Sequence, residues 1–97
     1  MEYIVTFKNT NFAIKAEQCL LEQKLRVSVL PLPSLISTGC GICLRIKPDE
    51  IKSALDILAE KNISGIALFL RAEENNRFVY TEVDKKTFDG GKCHEND

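Results

Sequence analysis

The chain alternates between strand-like and helix-like patterns of apolar residues, and the order of these patterns restricts its fold. Apolar residues at every second position predict four strands, at residues 3–8, 26–30, 42–47 and 66–70. Helical spacing predicts one helix at residues 12–24, preceded by N-cap candidates at residues 9–11, and a second helix that begins near Pro48 and ends near Asn62. The order β-α-β-β-α-β predicts an α+β domain of the ferredoxin-like split βαβ type.

In that fold an antiparallel sheet carries both helices on one face, and right-handed crossovers place the third strand between the first and the second. The turn after the first strand, the segment between the second and third strands, and the turn before the fourth strand then meet at one edge of the sheet. Residues 71–77 are polar and indicate a turn, after which residues 78–83 predict an extra C-terminal strand. We therefore expect a single domain at residues 1–83 and a flexible polar tail at residues 84–97.

Composition excludes several classes of protein. The 97 residues are 44% hydrophobic and 28% charged, which is typical of one small globular domain rather than of a disordered chain. A formal net charge of −1 does not support nucleic-acid binding through bulk charge. No apolar run approaches the roughly 20 residues that span a membrane. The first residues alternate like a strand and lack the pattern of a signal peptide, so we expect a cytoplasmic protein.

Cys40 is the strongest candidate for a functional residue. It lies between Gly39 and Gly41 in a segment of about eleven residues, whereas about two to five residues suffice for a hairpin connection. The glycines permit positive φ and leave backbone N–H groups free to face an anion such as a thiolate. The positive end of the first helix, together with Lys8 or Arg45, would stabilise that thiolate further. The alternative is a small, inert residue that lets the segment turn.

Cys43 completes the spacing Cys40-Gly41-Ile42-Cys43, which is also the spacing of a redox dithiol. In thioredoxin-like sites the first cysteine opens a helix, whereas here the motif runs into a strand. Cys43 is therefore either the second thiol of a redox pair or an ordinary residue of the sheet.

The remaining cysteines and the single histidine favour neither a metal centre nor a catalytic triad. Cys19 lies on the apolar stripe of the first helix, which favours a role in packing. Cys93 and His94 would complete four zinc ligands with the two loop cysteines, but they lie in the polar tail at a spacing that enforces no closure. We therefore expect no metal or other cofactor. The only histidine lies in the tail, so the folded part cannot hold a Ser-His-Asp triad, and we favour a protein that is not an enzyme.

The face of the sheet opposite the helices is expected to be too apolar for open solvent. Strand alternation places eight residues there, namely Ile4, Thr6, Ser28, Leu30, Cys43, Arg45, Ala67 and Phe69. A second subunit, the C-terminal segment or a partner protein would cover this face. Of these, we expect a symmetric homodimer.

One segment resembles a known family. The similarity lies in the runs Val29-Leu30-Pro31-Leu32-Pro33, Ile36-Ser37-Thr38-Gly39-Cys40-Gly41 and Leu44-Arg45. They resemble a small bacterial family described as putative selenium/sulfur carrier protein-like, and the likeness covers about residues 2 to 70. The resemblance implies that Cys40, followed by Gly41, is the carrier thiol. Cys43 departs from the small or aliphatic residue expected at its position.

Two functions from different classes are consistent with these features. In the first, Cys40 carries sulfur or selenium, as a persulfide or selenosulfide, between a donor protein and an acceptor protein. In the second, the chain is a regulatory or assembly module that dimerises through its helix-free sheet face, and the cysteine segment is structural. A dithiol redox protein that uses Cys40 and Cys43 is a third interpretation.

Overall fold

The computed structural model describes residues 1–36, 39–63 and 65–84. Within these residues the chain forms two helices and five strands. They are β1 (Glu2–Thr6), α1 (Thr10–Glu22), β2 (Val27–Pro31), β3 (Ile42–Ile46), α2 (Ile51–Glu60), β4 (Ala67–Glu74) and β5 (Arg77–Val83). Every predicted helix and strand is present, with ends that differ by a few residues from the sequence patterns.

The five described strands form one antiparallel sheet in the order β2-β3-β1-β4-β5. β3 lies between β1 and β2, as predicted, because Val5 of β1 and Val29 of β2 both pair with Leu44. β5 adds an edge strand beside β4, so the strand order differs from that of a four-stranded split βαβ sheet. The predicted α+β class is confirmed.

The hairpin of β4 and β5 is the main departure from the predicted elements. Residues 71–77, expected to be a turn, instead extend both strands as far as the pair Glu74 and Arg77. The turn itself has only two residues, Asn75 and Asn76, with φ of 52° and 66°. Two consecutive left-handed residues are typical of the type I′ turn, whose twist suits a hairpin, and asparagine tolerates this conformation. The extra C-terminal strand is confirmed.

Both helices pack on one face of the sheet and form the helix-side core there. Its buried members are Val5, Phe7, Ala13, Ala16, Leu20, Leu44, Ile46, Ile51, Ala54, Leu55, Leu58, Ile63 and Leu68. Full burial of one such large aliphatic or aromatic side chain is worth about 1.5–3 kcal/mol. This face therefore supplies most of the hydrophobic stabilisation of the domain.

The helix ends follow local sequence signals. Asn9 is the N-cap of α1, and its side-chain oxygen accepts a hydrogen bond from the backbone N–H of Phe12 at 2.9 Å. After each helix a residue of positive φ, Lys24 or Asn62, and the residue that follows it donate the two hydrogen bonds of a Schellman motif. α2 begins at Ile51, later than predicted, because the residues before it form a separate turn. No helix among the described residues is long and apolar enough to cross a membrane.

The centre of the helix-free face, which is the face of the sheet opposite the helices, is buried. Ile4 and Cys43 are fully buried there, in a second cluster with Ile36. The partly buried residues around this helix-free cluster are Leu30, Leu32, Phe69 and Tyr80. Leu32 and Ile36 belong to the segment between β2 and β3, so this segment covers part of the face, which the sequence did not predict. Dimerisation through this face stays a prediction.

Candidate functional site

The segment between β2 and β3, residues 32–41, is named the Cys40 loop here. At its base the backbone N–H of Leu32 donates to the carbonyl oxygen of Gly41 at 2.9 Å, which continues the β2–β3 pairing by one step. Further along, the N–H of Ile36 donates to the carbonyl oxygen of Pro33 at 3.0 Å. This turn lays the apolar part of the loop onto the helix-free face, while residues 37 and 38 lie outside the described residues.

Gly39 and Gly41, on either side of Cys40, have φ of 123° and 97°. L side chains rarely adopt such values, which confirms the positive φ predicted for both glycines. Gly39 also lies close to β1, since a Cβ atom there would be 3.3 Å from Cβ of Thr6 and 3.5 Å from Cδ2 of Leu32. At Gly41 no such neighbour lies within 4 Å. Gly39 therefore needs both conformational freedom and space, whereas Gly41 needs conformational freedom only.

Three chain connections meet at one end of the strands, as predicted: the turn after β1, the Cys40 loop and the turn before β4. Gly39 contacts Thr6, the last residue of β1, shortly before α1 begins. The side chain of Lys8 lies against Gly65, within 3.0 Å of where a Cβ atom would be. The turn before β4 is thereby brought to the same end of the strands. The Cys40 loop therefore lies beside the end of β1, next to the connection that leads into α1, although about thirty residues separate Cys40 from that connection along the chain.

Cys40 itself is half-buried and packs against the helix-side core. Its Sγ lies 3.8 Å from the carbonyl oxygen of Ile42, which suits a weak S–H···O hydrogen bond. Arg45, one of the two cations expected to support a thiolate here, instead lies on the helix-free face. There it donates to Ser28 at 3.3 Å and forms an ion pair with Glu2 at 3.7 Å. The predicted role of Arg45 is wrong because strand alternation turns its side chain away from Cys40.

Cys43 is fully buried in the helix-free cluster. Its Sγ lies 3.8 Å from the carbonyl oxygen of Pro31. Burial raises the pKa of the Cys43 thiol, nearby Arg71 partly opposes this increase, and Cys40 adds to it. The thiol of Cys43 is therefore protonated at neutral pH and is a poor nucleophile.

The two cysteines of the Cys-x-x-Cys motif pack on opposite faces of the sheet. Cys40 contacts the helix-side core, and Cys43 contacts the helix-free cluster. Both are free thiols. This packing against different clusters does not favour a disulfide between them.

Arg71 is the charged residue that most affects Cys43, and the sequence patterns did not identify it. Its guanidinium binds the carboxylate of Glu2 and lies 4.4 Å from the centre of the Phe78 ring. The polar run after residue 70 predicts a turn rather than a strand, so it gives Arg71 no place in the predicted sheet. The available signal was strand alternation, which continues from Phe69 through Arg71 on the helix-free face.

The remaining candidate ligands do not come together. Cys19 is half-buried on α1. Among the residues that the structure describes, no three histidine, cysteine or acidic side chains lie close enough together to hold a metal ion. Cys93 and His94, which the sequence assigned to a polar tail, lie outside those residues.

The site is thus a half-buried cysteine between two left-handed glycines, on a loop at one edge of an α+β domain. The chain belongs to the putative Se/S carrier protein-like family, whose model matches residues 2–70. The match runs from β1 into the start of β4, so it includes the Cys40 loop and β3, and it leaves β5 outside. Comparisons with curated proteins and with solved structures found no match.

Proposed function

We propose that this chain is a sulfur or selenium carrier that holds its cargo on the Sγ atom of Cys40. The observation that carries the proposal is the placement of this thiol, which is partly accessible between two glycines at the sheet edge. Membership of a family described as Se/S carrier-like supports the same chemistry. The partners would be cytoplasmic proteins, a donor that presents a persulfide or selenopersulfide and an acceptor that receives the cargo.

Loading requires only thiol exchange. The thiolate of Cys40 attacks the terminal sulfur of a donor persulfide, R–S–SH, and forms a new S–S bond. The S–S bond of the donor breaks, the donor leaves as the thiolate R–S⁻, and Cys40 carries –S–SH. Because the transferred sulfur keeps its oxidation state, no external oxidant or reductant is needed. A donor of the form R–S–SeH delivers selenium by the same exchange, and an acceptor thiolate unloads the carrier by the reverse exchange.

The burial of Cys43 favours a carrier with a single working thiol over a dithiol redox protein. For Cys43 to take part in the chemistry of a loaded carrier, its thiolate would have to attack Sγ of Cys40, expel HS⁻ and leave a disulfide. Burial disfavours that thiolate, and the two side chains pack on opposite faces of the sheet. Cargo on Cys40 is thereby protected from internal release.

The proposal is tested by loading the purified, reduced protein with cysteine persulfide and locating the added sulfur by peptide mass spectrometry. We expect one added sulfur on the peptide that contains Cys40 and none on that peptide in Cys40→Ser. Cys19→Ser is the matched control, because Cys19 is also half-buried but lies on a helix. It should load as the wild type does. Equal loading of the wild type and Cys40→Ser would refute the proposal.

A further inference from the structure

β5 is an edge strand that the family match does not include. Among the described residues it pairs with β4 alone, so about half of its backbone N–H and C=O groups point away from the sheet. Such a row of unpaired groups is a template for another strand unless the sequence protects it. The family match ends at residue 70, so β5 lies outside the matched region.

The two edges of the sheet differ in how well they are protected. β2 has five residues and ends in Pro31, which has no N–H to donate to an incoming strand. β5 has seven residues and no proline. Its first half exposes two adjacent large apolar side chains, Phe78 at 48% and Val79 at 37%. β5 is therefore the edge of this sheet that is suited to pairing with a further strand.

We propose that β5 pairs antiparallel with β5 of a second copy of this chain, across a two-fold axis at Val79. In such a pair, directly opposed residues lie on the same face of the joined sheet. One strand can therefore shift against the other only by two residues at a time. With the axis at Val79, Phe78 lies opposite Tyr80 of the second copy, and Arg77 lies opposite Thr81. Aromatic residues then face each other and no like charges do. An axis at Tyr80 would instead place Phe78 opposite Glu82.

Contacts within one chain prepare this surface. Phe78 is positioned by the guanidinium of Arg71, 4.4 Å from its ring centre, and Tyr80 packs against the helix-free cluster. Pairing of Phe78 with Tyr80 therefore extends the helix-free cluster from one copy into the next. The two-fold axis makes the two copies of β5 run in opposite directions. The two Cys40 loops, which lie at strand ends, are therefore at opposite ends of the strands in a ten-stranded sheet. The inference is independent of the proposed carrier function.

The oligomeric state of the full chain tests this inference, measured by size-exclusion chromatography with light scattering at several concentrations. We expect a dimer that Val79→Asp converts to a monomer, because two carboxylates would then lie directly opposite each other. Val29→Asp is the matched control, since Val29 is 43% exposed and lies on the other edge strand, on the same face of the sheet. It should remain dimeric. A monomeric wild type, or a dimer that persists in Val79→Asp, would overturn the inference.

Disulfide trapping tests the register without depending on a destabilising charge. Directly opposed residues of an antiparallel pair have Cα atoms about 4.5–5.5 Å apart, which a disulfide spans. Mild oxidation of Val79→Cys should therefore give a covalent dimer on a non-reducing gel. The thiols of Thr81→Cys would be roughly 13 Å apart along the strands and should not link. Equal linking of Thr81→Cys, Val79→Cys and the wild type would contradict the register.

Discussion

The two glycines beside Cys40 allow backbone strain and crowding to be measured separately. Alanine at Gly41 meets a φ of 97° with no neighbour within 4 Å of the new Cβ atom. Strain of this kind costs about 1–3 kcal/mol, and the lower entropy of the unfolded chain offsets about 0.4–1 kcal/mol, so we expect a net loss of between about 0 and 2.6 kcal/mol.

Alanine at Gly39 meets a φ of 123° and also two neighbours. Its Cβ atom would lie 3.3 Å from Cβ of Thr6, which is buried within β1 and cannot withdraw freely, and 3.5 Å from Cδ2 of Leu32. Overpacking typically costs about 1–3 kcal/mol, and this mild overlap lies at the lower end. Gly39→Ala should therefore reduce the free energy of unfolding by about 1 kcal/mol more than Gly41→Ala.

Urea unfolding followed by circular dichroism, under reducing conditions and at one pH, gives both free energies of unfolding. Equal losses in the two variants would show that the Gly39 contact with β1 does not contribute. A gain in stability in both variants would refute the positive φ at both positions, since alanine stabilises only where the native backbone suits it. The alkylation rate of Cys40 in each folded variant then reports whether the same backbone geometry governs access to the thiol.

Two further predictions concern Cys43 and the start of α1. Burial raises the pKa of the Cys43 thiol above its ordinary value of 9.0, so the folded chain keeps a proton that the unfolded chain releases. This stabilisation is complete below about pH 9 and is lost as the pH rises through the folded pKa. Urea unfolding between pH 8 and 10 should therefore show the stability gap between the wild type and Cys43→Ala narrowing, and a constant gap would contradict the reasoning. Asn9→Ala should cost about 1 kcal/mol through loss of the N-cap bond, whereas the neighbouring exposed Asn11→Ala should change stability by less than about 0.5 kcal/mol.

The elements around the helix-side core were predictable because their side chains repeat at a regular spacing. The stripe of α2, for example, is buried in full, since a helix that packs on a sheet needs apolar residues at this spacing. The full extent of β4 was not predicted because its far end, residues 71–74, is mostly polar and carries no apolar alternation, whereas the start of β5 was predicted to within one residue. Asn75 and Asn76 were the remaining signal, since two consecutive residues that tolerate positive φ mark a two-residue hairpin turn.

The place of Cys40 was predictable from topology, but the cover of the helix-free face was not. The connection rules placed the Cys40 loop at the end of β1 without any information on side chains. Leu32 and Ile36 lie in a segment with proline and glycine and follow neither the strand nor the helix period. Their burial against Ile4 depends on the path of the loop in space, which hydrophobic periodicity does not encode.

The same strand alternation that buries Cys43 also determines which thiol is free to react. β3 must turn Ile42 and Leu44 toward the helices, so Cys43 between them points to the opposite face. There the Cys40 loop covers it with Ile36, and its thiol stays protonated. A dithiol reaction would have to expose Ile36 and Cys43 together, at a cost of about 1.5–3 kcal/mol for the isoleucine alone. Under the proposed carrier function, this arrangement would keep cargo on Cys40 until an acceptor arrives, because the second thiol of the motif is buried beneath the same loop that carries Cys40.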